Sequence, residues 1–325
     1  MPHELASLGP GPFTVAEAEL AGVREPALRH GLKTGRLRRV VRGVYASGAP
    51  PDTLEVRAAA VALVAPAGSV VCGRTAAWLY GVDALAMGAH RVLPDVDIMV
   101  AAGRSASRRV GVFGSSGPLR NSDVVIVGTV PVTAPARTTA DLARLLRRPD
   151  ALAAVDAMLR LRVTTVNDVR HELGLFAGHR GVAQARGLLA LASPLAESPQ
   201  ESRVRLRCVD AGFPSPEPQI VLRLLGGRFV ARLDMGWRLL MRAVEFDGAE
   251  DHSTPEDLRH DRHRREAVEA LGWGIAVVTS REVLSRTLEF ERIVSELLAM
   301  PYQLSPQHPA RGGWEGTACG RKRSA

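Results

Sequence analysis

The stretch Phe229–Trp273, FVARLDMGWRLLMRAVEFDGAEDHSTPEDLRHDRHRREAVEALGW, decides how the C-terminal half of the chain is read. It predicts a strand ending in Arg232-Leu233-Asp234, a tight turn around Gly236-Trp237, and a second strand from Leu240 to Phe246. A long helix follows, with Thr254 as its cap, Pro255 at the first helical position, Asp257 three residues after the cap and Gly272 as its stop. Side chains alternate across a strand, which puts Glu245 and Asp247 on one face and Val244 and Phe246 on the other. Paired as a hairpin, the two strands bring Asp234 alongside Glu245, so three carboxylates gather at one sheet edge. Carboxylates held together repel, and a fold that keeps such a group does so to hold a hard cation such as Mg²⁺ or to shift a pKa. A hairpin with polar ends, its acids in solvent or paired with neighbouring arginines, fits the spacing equally well.

Asp234, then Glu245-x-Asp247-Gly248, then His252, then a helix carrying Asp261, Arg262 and Arg264 and ending in Gly272-Trp273, resembles the very-short-patch-repair-like branch of the PD-(D/E)XK nuclease superfamily. The resemblance runs over roughly 199–298. It implies that Asp234 and Glu245 are metal ligands, and that Glu201, in SPQESRVRLRCVDAG, is the first-helix acid that completes the metal site. Asp247 stands where many members have lysine, and the chain's only lysines, Lys33 and Lys322, are far away in sequence. Arginine is too basic to replace that lysine as a proton acceptor, whereas a histidine, with an unperturbed pKa of about 6.5, can accept a proton. The implied chemistry has Asp234 and Glu245 holding Mg²⁺ or Mn²⁺, His252 or Asp247 taking a proton from the bound water, and Arg262 or Arg264 steadying the phosphate. A nuclease fold that has lost activity and only grips DNA or a partner is the competing expectation.

Composition sets the frame for these readings. At 325 residues the chain has room for two or three domains, and 46% apolar with 23% charged residues is ordinary for a globular protein. A net charge of +8 and a pI near 10.3 favour a polyanionic partner, DNA before membrane. Cys72, Cys208 and Cys319 lack paired spacing and are expected to be reduced thiols in a cytoplasmic protein. The longest apolar run, 58–65, is too short to span a bilayer.

Residues 13–47 are expected to form a small winged helix-turn-helix. Thr14-Val15-Ala16-Glu17 is a capping box, Gly22-Val23 a turn, and Glu25-Pro26 the start of a second helix that stops at Gly35 with Leu28 and Leu32 facing the core. That leaves Arg24, Arg29, His30 and Lys33 toward solvent, followed by Arg36, Arg38, Arg39 and Arg42 in a strand-turn-strand. A helix set in the major groove with a basic wing against phosphates needs this distribution, with Arg29 and Lys33 the best candidates for reading bases. The pattern Gly35-Arg36-Leu37-Arg38-Arg39-Val40-Val41-Arg42-Gly43-Val44-Tyr45 looks like the N-terminal domain of AbiEi-type antitoxins of type IV toxin-antitoxin systems. The likeness continues through Arg74-Thr75-Ala76-Ala77-Trp78-Leu79-Tyr80-Gly81 to Pro135-Ala136-Arg137-Thr138-Thr139-Ala140-Asp141. Such antitoxins bind DNA upstream of their own operon. The resemblance therefore implies repressor-like behaviour and raises a cognate toxin protein as a further partner to test.

Between 51 and 150 a helix over 53–64 and short strands over 97–101, 109–113 and 124–127 are expected. From 138 to 191 apolar residues recur at helical spacing and predict three or four short packing helices. The tail from Pro301 is rich in Pro, Gly, Gln and Arg without periodicity and reads as disordered. The expected fold class is α+β: a winged helix-turn-helix over 1–50, a small mixed domain over 51–150, a helical connector over 151–197, a restriction-endonuclease-like α/β/α domain over 198–300 and a disordered tail over 301–325.

Overall fold

A computed structural model describes residues 8–48, 52–84, 94–107, 109–248 and 255–314, the side chains of 255–261 excepted. The chain is α+β and divides into two compact units, Met1–Leu142 and Ala143–Ala325. Among the described residues no helix is long and apolar enough to cross a membrane.

In the first unit, β1 (Phe13–Thr14) leads into α1 (Val15–Leu20), α2 (Glu25–Lys33), β2 (Leu37–Val41) and β3 (Val44–Ser47). The predicted capping box is present: the Thr14 hydroxyl accepts from Glu17 N, and the Glu17 carboxylate accepts from Thr14 N at 2.7 Å. Phe13, Ala18, Val23, Leu28 and Leu37 form the core on which these elements close, with the strands in the order β1-β3-β2. Beyond them come α3 (Leu54–Ala62), β4 (Val70–Val71), α4 (Gly73–Leu79), β5 (Val96–Ala101), β6 (Val112–Gly117), β7 (Val124–Val127) and β8 (Val130–Thr133). The five strands assemble as β6-β5-β4-β8-β7 over a core containing Val61, Leu79, Ile98 and Val132. The strand expected over 109–113 begins later, at Val112, because Gly111 takes φ +87° and turns the chain just before it pairs with β5.

The second unit begins within α5 (Pro135–Leu145) and holds the other predicted packing helices: α6 (Arg148–Arg160), α7 (Val166–Leu175) and α8 (Val182–Leu191). Then follow α9 (Pro199–Asp210), β9 (Glu217–Arg223), β10 (Phe229–Trp237), β11 (Arg242–Phe246), α10 (Pro255–Ala270), β12 (Gly274–Val278), α11 (Ser280–Leu284) and α12 (Glu289–Leu298). The sheet order is β12-β11-β10-β9, antiparallel except for the β11–β12 pair. Ser198 caps α9 by accepting from Glu201 N, with Pro199 in the first turn. Arg203, Arg205 and Arg207 of α9 are all buried, and each pairs with an acid on another helix: Asp150, Asp156 and Glu291 respectively.

Two sequence expectations need correction in this unit. Gly236-Trp237 is not the turn but the last pair of β10, and the chain reverses over 238–241, where Met241 takes φ 50°. Gly236 is there because a Cβ would sit 2.4 Å from the Arg242 carbonyl oxygen, so only glycine lets β10 and β11 approach. The tail, expected to be disordered from 301, is packed as far as Trp314. Gln303 N and Ser305 N donate to Ala211 O and Asp210 O at 2.8 Å, and the Trp314 indole donates to Asp210 at 2.9 Å. Buried His308 and Trp314 anchor a segment whose composition alone carried no periodic signal.

Candidate functional site

One candidate surface lies on the first unit. Along α2 the residues Ala27, Leu28 and Gly31 are buried, so Arg29, His30 and Lys33 stand on the opposite, exposed side, and Arg24 sits exposed at the helix cap. Arg36, Arg39 and Arg42, from the strand-turn-strand that follows, are also exposed; Arg38 is half-buried and faces Asp52 at 3.6 Å. Arg29 makes a loose pair with Glu25 at 3.8 Å, Arg42 one with Asp95 at 3.3 Å, and the Arg39 guanidinium lies 6.0 Å from the Tyr45 ring centroid. Arg24, His30, Lys33 and Arg36 make no ion pair among the described residues. The arginine and lysine cations among them, Arg24, Lys33 and Arg36, are available to phosphates.

The second candidate is the acidic edge of the β10–β11 pair. The register sets Met235 against Val244, so Asp234 is the cross-strand neighbour of Glu245 on the same face. Asp234 Oδ2 accepts from Phe246 N at 2.9 Å. Burial pushes its carboxyl above the ordinary range; the Phe246 N–H works against this, and repulsion from Glu201 and Glu245 adds to it. Glu201, which the nuclease resemblance places at this cluster, is therefore close enough to repel Asp234. Its Oε2 is already taken, accepting from Gln219 Nε2 at 2.8 Å and Glu197 N at 3.0 Å.

Glu245 is held by Arg264, which reaches over from α10. Arg264 Nη1 donates to Oε2 at 3.0 Å, Nη2 bonds Oε1, and Nη2 also donates to Arg232 O at 3.3 Å. The Glu245 side chain is 11% exposed and that of Arg264 35%. Asp247 lies past the end of β11, exposed, with its N–H donating to Val278 O at 2.9 Å. Arg262 is exposed on α10, and His252 lies outside the described residues.

The donor set decides whether Mg²⁺ or Mn²⁺ fits. A divalent ion needs several oxygens with free lone pairs converging on one point. Here both Glu245 oxygens face a guanidinium, Glu201 Oε2 and Asp234 Oδ2 accept backbone or amide donors, and among the described residues no three potential ligands are arranged to hold an ion. As arranged, these residues do not fit the ion. One member of the cluster had no sequence signal: Gln219, which reads as an ordinary strand residue. It takes φ +57°, lies beside the pairing of Ile220 with Leu233, and keeps its Oε1 buried without a partner among the described residues.

Comparison with known proteins bears on the first candidate, since the family matches do not reach the β10–β11 edge. Residues 3–48 match the family described as a transcriptional regulator, AbiEi antitoxin, and residues 69–191 match the AbiEi antitoxin C-terminal domain. The chain is 35% identical over 255 residues to an uncharacterised protein found in two strains of Mycobacterium tuberculosis, CDC 1551 / Oshkosh and H37Rv. That alignment covers 78% of this chain and 89% of the relative. A crystal structure of the Rv2827c protein from M. tuberculosis aligns with a TM-score of 0.32 at 18% identity, covering 62% of this chain and 77% of that one, too distant to carry an argument. With both of its characteristic domains matched in order along one polypeptide, the chain belongs to the AbiEi antitoxin and transcriptional-regulator family.

Proposed function

We propose that this protein is a DNA-binding transcriptional regulator whose first unit acts as a winged helix. In this reading α2 lies in the major groove and the β2–β3 turn lies against the phosphates. The observation that carries it is the division of α2: Ala27 and Leu28 are buried in the core, while His30 and Lys33, with Arg24 and Arg36 beside them, are exposed without ion pairs among the described residues. The regulator description of the matched family over 3–48 supports the same role. Fluorescence anisotropy with duplex DNA from upstream of the coding sequence tests it. Tight, salt-sensitive binding that collapses when Arg29, His30 and Lys33 are changed to alanine is expected; binding unchanged by those substitutions rules the reading out. The family description also supports a cognate toxin protein as partner, tested by co-purification with the product of the adjacent reading frame.

The Asp234–Glu245 register favours a second reading, metal-dependent DNA cleavage by the C-terminal unit. It requires Arg264 to leave Glu245 first, because as arranged Asp234, Glu245 and Glu201 do not fit Mg²⁺ or Mn²⁺. In that rearranged state Asp247 or His252 would be the proton acceptor, and Arg262 or the released Arg264 the phosphate partner. Cleavage by folded protein in Mn²⁺ that is lost in Asp234→Ala supports this reading, and its absence with DNA bound excludes it.

A further inference from the structure

We propose that Arg264 is the resident counter-ion of the Asp234–Glu245 pair, so that the C-terminal sheet keeps its carboxylates together without a divalent metal. The argument begins with the cost of the cluster. Asp234 and Glu245 are forced side by side by the β10–β11 register, and Glu201 is near enough to repel Asp234. A fold tolerates this by placing positive charge among the acids or by leaving one of them protonated.

The structure supplies that charge from α10. The guanidinium of Arg264 engages both oxygens of Glu245, the fork-to-fork arrangement that gives the strongest carboxylate pairing, and its Nη2 is tied to the Arg232 carbonyl as well. Its placement does not depend on a flexible side chain reaching across open solvent, since α10 packs against β10 and β12 of the same sheet. The remaining acids are satisfied by hydrogen bonds rather than by charge: Glu201 by Gln219 and Glu197 N, Asp234 by Phe246 N.

A divalent ion at Glu245 and the guanidinium at Glu245 exclude each other. Both need the same lone pairs, and two cations at one carboxylate repel. The nuclease resemblance implies a metal at this place, and the side chains instead put an arginine there. This inference is independent of the DNA-binding reading, which rests on the first unit, and it conflicts with the cleavage reading unless Arg264 first withdraws.

Isothermal titration of the EDTA-treated full chain with Mn²⁺, alongside Arg264→Gln, tests the proposal. Wild type is expected to give no saturable heat up to millimolar Mn²⁺. The Arg264→Gln variant, with Glu245 uncovered, is expected to bind about one Mn²⁺ per chain, at least tenfold more tightly than wild type, and the further change Glu245→Gln is expected to abolish that site. Wild type that binds Mn²⁺ as well as Arg264→Gln, with loss in Glu245→Gln, overturns the proposal, and so does a folded Arg264→Gln that binds none. If Arg264→Gln folds only with Mn²⁺ present, the counter-ion role stands. If it folds under neither condition while Arg264→Lys does no better, the arginine is a packing element and the proposal fails. Duplex binding by the same proteins reads the DNA-binding proposal separately and should be unchanged throughout.

Discussion

Arg207 offers the sharpest test of how the second unit is held together. Its side chain is fully buried, engages both oxygens of Glu291 at 2.7 and 3.0 Å, and donates to the carbonyls of Val283, Ser285 and Thr287 at 2.7–2.8 Å. The Phe290 ring lies 5.1 Å from its guanidinium. Arg207→Leu keeps the apolar volume but leaves Glu291 as a buried charge with only His308 beside it, at 2.7 Å. Breaking a buried pair by removing one partner costs about 3–5 kcal/mol. The freed carbonyls add roughly 1 kcal/mol each where water cannot reach them. With all three carbonyls dry, a loss of about 6–8 kcal/mol is expected, a large share of the roughly 5–15 kcal/mol typical of a domain. Urea unfolding followed by far-UV circular dichroism would register this as a fall of roughly 3–4 M in midpoint, using a slope of about 2 kcal/mol/M. Arg207→Leu with Glu291→Leu should recover part of the loss, because the orphaned charge is gone. A single-variant loss below about 1 kcal/mol would refute the reasoning, since it would mean that the pair is wet and its geometry incidental.

Four further outcomes follow from the same physical picture. Burial pushes the Glu291 carboxyl up, but hydrogen bonds from His308 and Arg207, together with the Arg207 charge, outweigh it and hold the group below its ordinary 4.5. A depressed carboxylate contributes stability that is present above the unfolded value and is lost as pH falls through the folded one, so wild type should lose stability below about pH 4.5 in urea titrations, and Glu291→Gln should show a flatter acid limb from a lower plateau. Lys33→Ala with Arg36→Ala should reduce the slope of log K against log salt for duplex DNA by about 1.8, near 0.9 for each phosphate that is no longer neutralised; an unchanged slope would place both residues off the DNA. Asp234→Asn should raise the melting temperature at pH 7: a carboxyl raised by burial and by Glu201 and Glu245 favours folding only while protonated, so the gain should vanish below its ordinary 3.8. Gly236→Ala should lower stability by about 2–4 kcal/mol in chemical unfolding, because the new methyl meets the Arg242 carbonyl at 2.4 Å and that oxygen belongs to backbone that cannot yield.

What the sequence disclosed divides along physical lines. The α1 capping box, the start of α2 at Glu25-Pro26, the helices after 135 and the pairing of Asp234 with Glu245 are all set by interactions within a few residues or by period, and each could be read directly. The reading failed where a residue's reason lies across space. Gly236 looks like a turn glycine, yet it is needed for the close approach of β11. Nothing in the tail's composition shows that Trp314 will find Asp210, 104 positions earlier, or that His308 will find Glu291. For the acids of the sheet edge the sequence left open a metal or pairing with neighbouring arginines; that Arg264 is the arginine on Glu245 depends on how α10 lies over the sheet and could not be read locally. Gln219 gave no signal, because a left-handed strand residue is a consequence of packing and leaves no local pattern.

The arginines carry the larger lesson about charge. With two lysines in the whole chain, arginine has to serve both as surface cation and as internal tie, and the net +8 does not separate the two roles. Arg137 with Asp123 and Asp141, Arg203 with Asp150, Arg205 with Asp156 and Arg207 with Glu291 are buried pairs whose opposite charges sit within hydrogen-bond distance. Such pairs cancel at the range over which DNA is felt, so they bear on the specificity of packing and add little to the outer field. Each buried arginine takes an acid out of play with it, and Arg137 takes two. Among the described residues the positive excess therefore lies outside these buried pairs, and around α2 and the β2–β3 turn Arg24, Lys33 and Arg36 stand with no acid paired to them. The location of uncompensated charge, rather than its total, is what ties this surface to a polyanion.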